Sequence, residues 1–267
     1  MISSILQYLN RVNHGFFFGI TSCTYYLSFM IIDKILCKLP FQHAKTYSKY
    51  DEGRRIYILS NIMKSAIISF VGGIFCKSVY DGNLNLLQTN EWVTQYLLAK
   101  NLIGIYSMTD VVPLFLNRDK MMQSTLIHHV CVGLSHLYVI NSDFSNEGIF
   151  KAVLVYGGFS SLASCVNFYL GARFLTTRNK TIKRMKLFAL MSYVLSCAGN
   201  WSWQTFYLAK LCYGLTETFD IFTAGSLLFY GGMLKSWIVD DIVLMTHLAS
   251  NKSSTKNIQS NQPRHMD

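Results

Sequence analysis

Apolar and polar stretches alternate along the chain, and the apolar ones have similar lengths. They lie at 16–36, 56–77, 92–116, 123–141, 148–172, 186–209 and 214–247. A helix needs roughly 20 apolar residues to cross the hydrocarbon core of a bilayer. The pattern therefore predicts an all-α, multi-pass membrane protein with about seven transmembrane helices; a large soluble helical protein is the alternative. The first stretch is long for a cleaved signal peptide, and no small-residue cleavage site follows it.

The composition favours the membrane alternative. Of 267 residues, 51% are hydrophobic and 14% are charged, whereas soluble domains carry about 25% charged residues. The seven cysteines are scattered singly and form no CxxC pair, which argues against a zinc site or a disulfide framework. Residues 249–267 are polar, and we expect them to form a disordered tail.

Positive charges are distributed unevenly among the loops. Most of them follow the first, third, fifth and seventh apolar stretches, and few follow the others. The basic loops contain Lys34, Lys38, Lys45, Lys49, Arg54, Arg55, Arg118, Lys120, Arg173, Arg178, Lys180, Lys183, Arg184, Lys186, Lys252, Lys256 and Arg264. The positive-inside rule then predicts a luminal N-terminus and a cytosolic C-terminus, in the endoplasmic reticulum or another intracellular membrane. The net charge of +10, so placed, indicates contact with lipid headgroups rather than nucleic acid.

Ionisable residues inside the apolar stretches are the candidates for function. His128 and His129 lie nine and ten residues after Asp119, and Asp110 lies nine residues before it. If the third and fourth helices form a hairpin that turns at residues 117–120, Asp110 and the histidines lie roughly 13 Å below the turn, at one depth. A carboxylate that orients a histidine supports acid–base or nucleophilic chemistry. The alternative is a polar clamp between two helices.

Other polar residues have simpler interpretations. We expect Lys64 to extend its ammonium group to the cytosolic interface, and Asp240 and Asp241 to be solvated near the last cytosolic end. A metal site is not indicated, because the seven histidines form no HxxxH-type box. Neighbouring residues on a helix diverge by about 100°, so His128 and His129 cannot easily bind one ion.

The run IYSMTDVVPLFLNRDKMMQSTLIHHVCVGLSHLY, the stretch DEGRR before the second apolar segment and the seven spans together resemble the TLC-domain family. That family includes ceramide synthases, translocon-associated membrane proteins and regulators of membrane lipid composition. The resemblance covers residues 50–248. It implies a helical barrel of six helices around a lipid cavity that opens to the cytosol, with residues 1–49 contributing a first helix outside it.

The resemblance also implies site residues. His128, His129 and Asp110 would be catalytic if the protein is an enzyme, and Tyr106, Ser160 and Asn167 would line the lipid cavity. We expect His136 in the same lining because it lies seven residues beyond His129 on the same stripe of the helix. Ceramide synthases carry an acidic residue on the helix that follows the histidines. Here that helix has none, and Ser160 stands at about the expected position.

Three functions stay open at this point. The favoured one is a protein that binds, senses or regulates membrane lipids, a sphingolipid or an acyl chain among them. The second is a lipid N-acyltransferase that uses acyl-CoA as substrate and needs no cofactor. The third and weakest is an accessory factor of protein translocation. A second copy of the chain is a further candidate partner.

The predicted topology can be tested with inserted tags. Because Lys and Arg alternate between loops, glycosylation or protease-site tags at residues 45 and 180 should report the cytosol, and a tag at residue 83 should report the lumen. Finding the tags at 45 and 83 on the same side of the membrane would contradict the seven-span topology.

Overall fold

The computed structural model describes residues 9, 13–86, 96–117, 121–141, 148–176, 178–217 and 220–250. This part of the chain is helical and contains no strand, which confirms the all-α prediction. Its helices are α1 (His14–Lys38), α2 (Gln42–Ser48), α3 (Glu52–Tyr80), α4 (Tyr96–Asn117), α5 (Gln123–Ile140), α6 (Ile149–Leu162), α7 (Ser164–Ala172), α8 (Asn179–Glu217) and α9 (Ile221–Ala249). The predicted turn at residues 118–120 and the tail beyond residue 250 lie outside the described residues.

Polar side chains between the apolar stretches determine where several helices begin. Asn13 accepts a hydrogen bond from the backbone N–H of Phe16 at the start of α1. Asp51 accepts one from Arg54 at the start of α3. Such side chains satisfy backbone donors that have no partner within the helix.

Two of the described helices, α1 and α3, are long and apolar enough to cross a membrane. A third crossing is added if α6 and α7 count as one broken span. Ionisable side chains lie inside several of the long helices, such as Lys64 in α3, Asp110 in α4 and Asp240 in α9. Length and composition thus support a membrane protein with two or three spans among the described residues.

The fifth apolar stretch is not one straight helix. α6 and α7 meet at Ala163 with a bend of 47°. At the break, the N–H of Ala163 donates to the carbonyl of Ser160 instead of the carbonyl of Phe159. The hydroxyl of Ser196 in α8 donates to the Phe159 oxygen. The Phe159 carbonyl, which the bend frees, therefore still has a hydrogen-bond partner.

The helices form a closed circuit of contacts. α3 contacts α4, α4 contacts α5, α5 contacts α9 and α9 contacts α8. α8 contacts both α6 and α7, which in turn contact α3. α1 lies outside this circuit, against α4 and α3. We call the six units α3, α4, α5, α6–α7, α8 and α9 the helical ring.

Close packing between α3 and the α6–α7 unit depends on small residues. A Cβ atom at Gly171 would lie 2.7 Å from the backbone oxygen of Ile58. One at Gly72 would lie 3.1 Å from the backbone oxygen of Ser161. Small residues that let two backbones approach closely are typical of helix contacts in membranes.

The described parts of three basic segments, around residues 43–50, 173–186 and 247–250, lie together at one end of the ring. His43 forms a 2.7 Å hydrogen bond with the backbone oxygen of Leu175, and Tyr50 donates to that of Phe174 at 3.1 Å. Lys186 donates to the backbone oxygen of Ser250. We call this end, formed by residues 39–55, 173–186 and 247–250, the basic end.

Candidate functional site

A cavity of about 470 Å³ lies inside the helical ring, towards the basic end. Each of the six units of the ring contributes to its wall. Apolar side chains from several of these helices form part of the wall: Ile68, Pro113, Met122, Val166, Leu170 and Leu244. The size and the mixed lining are those of a small-molecule site.

Asp110 of α4 provides a buried charge beside this cavity. It has no exposed surface, and its carboxylate forms an ion pair with Lys64 of α3. His129 Nε2 of α5 lies 3.4 Å from Asp110 Oδ1. A carboxylate removed from water needs such partners, because an unpaired buried charge is very costly.

The tautomer of His129 follows from its backbone contact. His129 Nδ1 lies 2.7 Å from the backbone oxygen of Asp110. A carbonyl oxygen can only accept, so Nδ1 carries a proton and donates it. Nε2 is then the nitrogen that accepts or releases a proton in any reaction.

His128 faces a different carboxylate. Its Nδ1 lies 3.4 Å from Asp240 Oδ2 of α9, and its ring centre lies 5.8 Å from that of His129. Among the described residues, neither His128 Nδ1 nor Asp110 Oδ2 has a hydrogen-bond partner, although both atoms are buried. Buried polar atoms of this kind are normally satisfied by water or by a ligand.

Asp241, next to Asp240, connects three helices. It accepts hydrogen bonds from Tyr193 (2.5 Å) and Trp201 (3.3 Å) of α8, and from Tyr156 (2.8 Å) of α6. It is 5% exposed. The expectation that Asp240 and Asp241 are solvated is therefore wrong. α9 continues past them to Ala249, so both residues lie inside the ring and not at its end.

Lys64 also differs from its expected position. Its ammonium group does not extend to the interface; it pairs with Asp110 inside the ring, and its side chain is 16% exposed. The attraction of a buried carboxylate outweighs access to water at this depth. A lysine and an aspartate in neighbouring apolar helices are the sequence signal that could have indicated the pair.

The other predicted residues are divided between two places. Tyr106, Ser160 and Asn167 line the cavity together with His128 and His129. His136 does not: its ring packs against His14 and Phe18 of α1, with centroid distances of 5.1 and 4.2 Å. His136 lies seven residues beyond His129, about 10 Å further along α5 and away from the basic end.

A smaller apolar recess of about 40 Å³ lies beyond the main cavity. Its wall includes Phe75, Ile103, Val132 and Trp237. Tyr106 lines both the recess and the main cavity. The Tyr106 side chain therefore lies between the main cavity, whose lining is mixed, and a recess whose lining is largely apolar.

No described group of three or more His, Cys, Asp or Glu side chains has the arrangement needed to hold a metal ion. The two histidines of the site instead have one carboxylate neighbour each. This arrangement suits hydrogen bonding and proton transfer.

No family model, curated protein or solved structure is significantly similar to this chain.

The ion pair predicts a non-additive pattern of stability. Lys64→Met leaves a buried carboxylate undercompensated, so it should lower the free energy of unfolding by about 3–5 kcal/mol. Asp110→Asn should also destabilise, because it leaves the Lys64 ammonium without its partner. The double variant removes both charges and should lose clearly less than the sum of the two single losses. Thermal and denaturant unfolding in detergent measure these differences.

The matched control lies on the same helix. Lys77 pairs with Asp81 at the surface, with a 46% exposed side chain, so Lys77→Met should cost only about 0–1 kcal/mol. Strict additivity of the Lys64 and Asp110 substitutions, or equal effects at Lys64 and Lys77, would contradict the assignment of a buried pair.

Proposed function

We propose that this chain is a multi-pass TLC-type membrane protein that binds a membrane lipid in the cavity of its helical ring. The observation that carries the proposal is the cavity itself, about 470 Å³ with apolar side chains in its wall and with His128 and His129 among its polar lining. An apolar wall accommodates hydrocarbon, and a few convergent polar groups orient the polar part of a ligand.

The proposed topology has seven crossings, made by α1, α3, α4, α5, the α6–α7 unit, α8 and α9. The charged helices can cross a bilayer if their ionisable groups face the ring interior, where they pair with each other. The pairing of Lys64 with Asp110 supports this arrangement. The grouping of basic loops at one end supports an orientation with that end, and the cavity near it, in the cytosol.

A buried polar atom that has no partner among the described residues supports a ligand in the cavity. His128 Nδ1, on a residue that lines the cavity, would gain a hydrogen bond from a ligand hydroxyl, amine or amide, or from water that accompanies the ligand. The protein would then sense or regulate the membrane pool of the lipid that it binds. The identity of the polar group follows from the residues at the cavity mouth, described below.

The lipid should be lost when the cavity is filled. Replacing Ser160, which lines the cavity, with Trp should remove lipid that copurifies with the protein in mild detergent, because the indole occupies the same space. Phe168→Trp is the matched control, since Phe168 lies on α7 and is 48% exposed on the outer surface. Extraction and mass spectrometry give the lipid bound per mole of protein. If wild type carries no stoichiometric lipid, or if both variants retain it equally, the cavity is not the binding site.

Acyl transfer is a second candidate function, favoured by the two histidine–carboxylate pairs. Asp240 on α9 supplies a carboxylate near His128, although the α6–α7 unit has no acidic residue. In such a reaction, a histidine removes a proton from the amine of a long-chain base as the amine attacks the thioester carbonyl of acyl-CoA. The proton then passes to the departing coenzyme A thiolate, and an amide is formed.

Histidine variants separate catalysis from binding. If the protein transfers acyl groups, His129→Ala should abolish transfer of a labelled acyl chain from acyl-CoA to a sphingoid base, because Nε2 is lost as the proton acceptor. The variant also loses a cavity-lining side chain and its contacts with Asp110, so transfer should be expressed per mole of folded, lipid-loaded protein. His136→Ala is the control, because His136 lies outside the cavity, and it should retain transfer. Absence of transfer by the wild-type protein would leave lipid binding without catalysis as the function.

A further inference from the structure

An arginine and a histidine lie at the mouth of the cavity, and they come from two different helical segments. Arg173, which follows α7, and His247, in the last turn of α9, both line the cavity. Arg173 Nη1 donates a 2.9 Å hydrogen bond to His247 Nε2. The two residues are 74 positions apart in the sequence, and their contact joins two edges of the mouth.

Aromatic rings hold the guanidinium groups at this mouth. The guanidinium carbon of Arg173 lies 5.6 Å from the ring centre of Tyr169 and 4.8 Å from that of Phe174. The guanidinium carbon of Arg54 lies 4.9 Å from the same Phe174 ring. Stacking fixes the plane of a guanidinium while its N–H groups stay available in that plane. Arg173 Nε is buried and has no hydrogen-bond partner among the described residues.

These charges are not neutralised within the described part of the chain. No described carboxylate forms an ion pair with Arg173 or Arg54, whereas neighbouring Arg55 is paired with Asp33 at 3.1 Å. Asp240 also faces the cavity, but it lies about two helical turns inside His247 and near His128. Two guanidinium groups that contact one ring, Phe174, concentrate positive charge at this mouth, so an anion bound to Arg173 would be stabilised by both.

We propose that Arg173 and His247 bind a phosphoryl group at the cavity mouth, with Arg54 adding positive charge nearby, so that the ligand is a phosphorylated, acyl-bearing molecule whose hydrocarbon extends into the cavity. A guanidinium binds phosphate oxygens through paired N–H donors, and the imidazole of His247 offers a further nitrogen to the same group. The inference rests on the proposed lipid-binding function and names the class of its ligand. The phosphoryl group can come from a phospholipid headgroup or from the coenzyme A part of an acyl thioester.

Lipids that differ only in the phosphoryl group test this site. Dioleoyl phosphatidic acid and dioleoylglycerol share their acyl chains, and their equilibrium binding to the full chain can be compared in maltoside micelles. Wild type should bind the phosphatidic acid roughly tenfold or more tightly, as expected for charge-assisted hydrogen bonds. Added salt should reduce this preference. Oleoyl-coenzyme A, measured against oleic acid, provides the second source of the phosphoryl group. A preference in either pair supports the site, and the pair that shows it identifies the source.

Arginine variants locate the effect. Arg173→Gln should remove most of the preference for the phosphorylated ligand and leave dioleoylglycerol binding unchanged. Arg184→Gln is the charge-matched control, because Arg184 is exposed on α8 and does not line the cavity. His247→Gln gives a second test if Arg173→Gln fails to fold.

Three results would overturn the inference. Equal binding within both ligand pairs would exclude a phosphoryl site while the proposed lipid-binding function stands. An equal loss in Arg184→Gln and Arg173→Gln would show a general charge effect instead of a site. Failure of wild type to bind any of the four ligands would contradict the proposed function, and the inference with it.

Discussion

The buried carboxylate of Asp110 is the constraint on which the arrangement of this protein depends. It has no exposed surface, so its charge must be compensated by groups that reach it inside the ring. Lys64 of α3 provides that compensation, and His129 Nε2 of α5 lies 3.4 Å from the carboxylate, with which it pairs when the ring is protonated; the two residues come from the helices that flank α4. The requirement therefore fixes the relative depth of three helices. It also places a histidine with a defined tautomer beside the cavity.

The other half of the ring is organised around a second buried carboxylate. Asp241 of α9 accepts hydrogen bonds from α6 and α8, and Asp240 beside it faces His128 of α5. These contacts join the last helix to both of its neighbours and to the broken α6–α7 unit. The residues that hold the ring together are thus also those that make its interior polar. Replacing them with apolar side chains would remove the polar groups of the cavity and also the hydrogen bonds that hold its helices together.

The helices and part of the site could be predicted from the sequence, because both depend on local patterns. Apolar stretches of roughly 20 residues predict helices, and the spacing of Asp110 and His129 about a short turn predicts their contact. The contacts of Asp241 could not be predicted this way, since they depend on which helices that are distant in sequence become neighbours in the ring. The bend at Ala163 could not be predicted from the local pattern either. It frees the carbonyl of Phe159, whose hydrogen-bond partner is the hydroxyl of Ser196 on another helix. The expectation that His136 lines the cavity was wrong. Residues on one side of a helix face the same way, but those seven positions apart lie about 10 Å from each other along the helix axis.

The proposed function requires that six helical units surround a bound lipid that contacts the His128–His129 pair. Cryo-electron microscopy of the full chain in lipid nanodiscs tests this claim most directly. The account predicts elongated density inside the ring, in contact with His128 or His129, and an Asp110 carboxylate that faces Lys64 and not the surrounding lipid. A ring that is closed and empty at this depth, or an Asp110 side chain directed towards the bilayer, would contradict it.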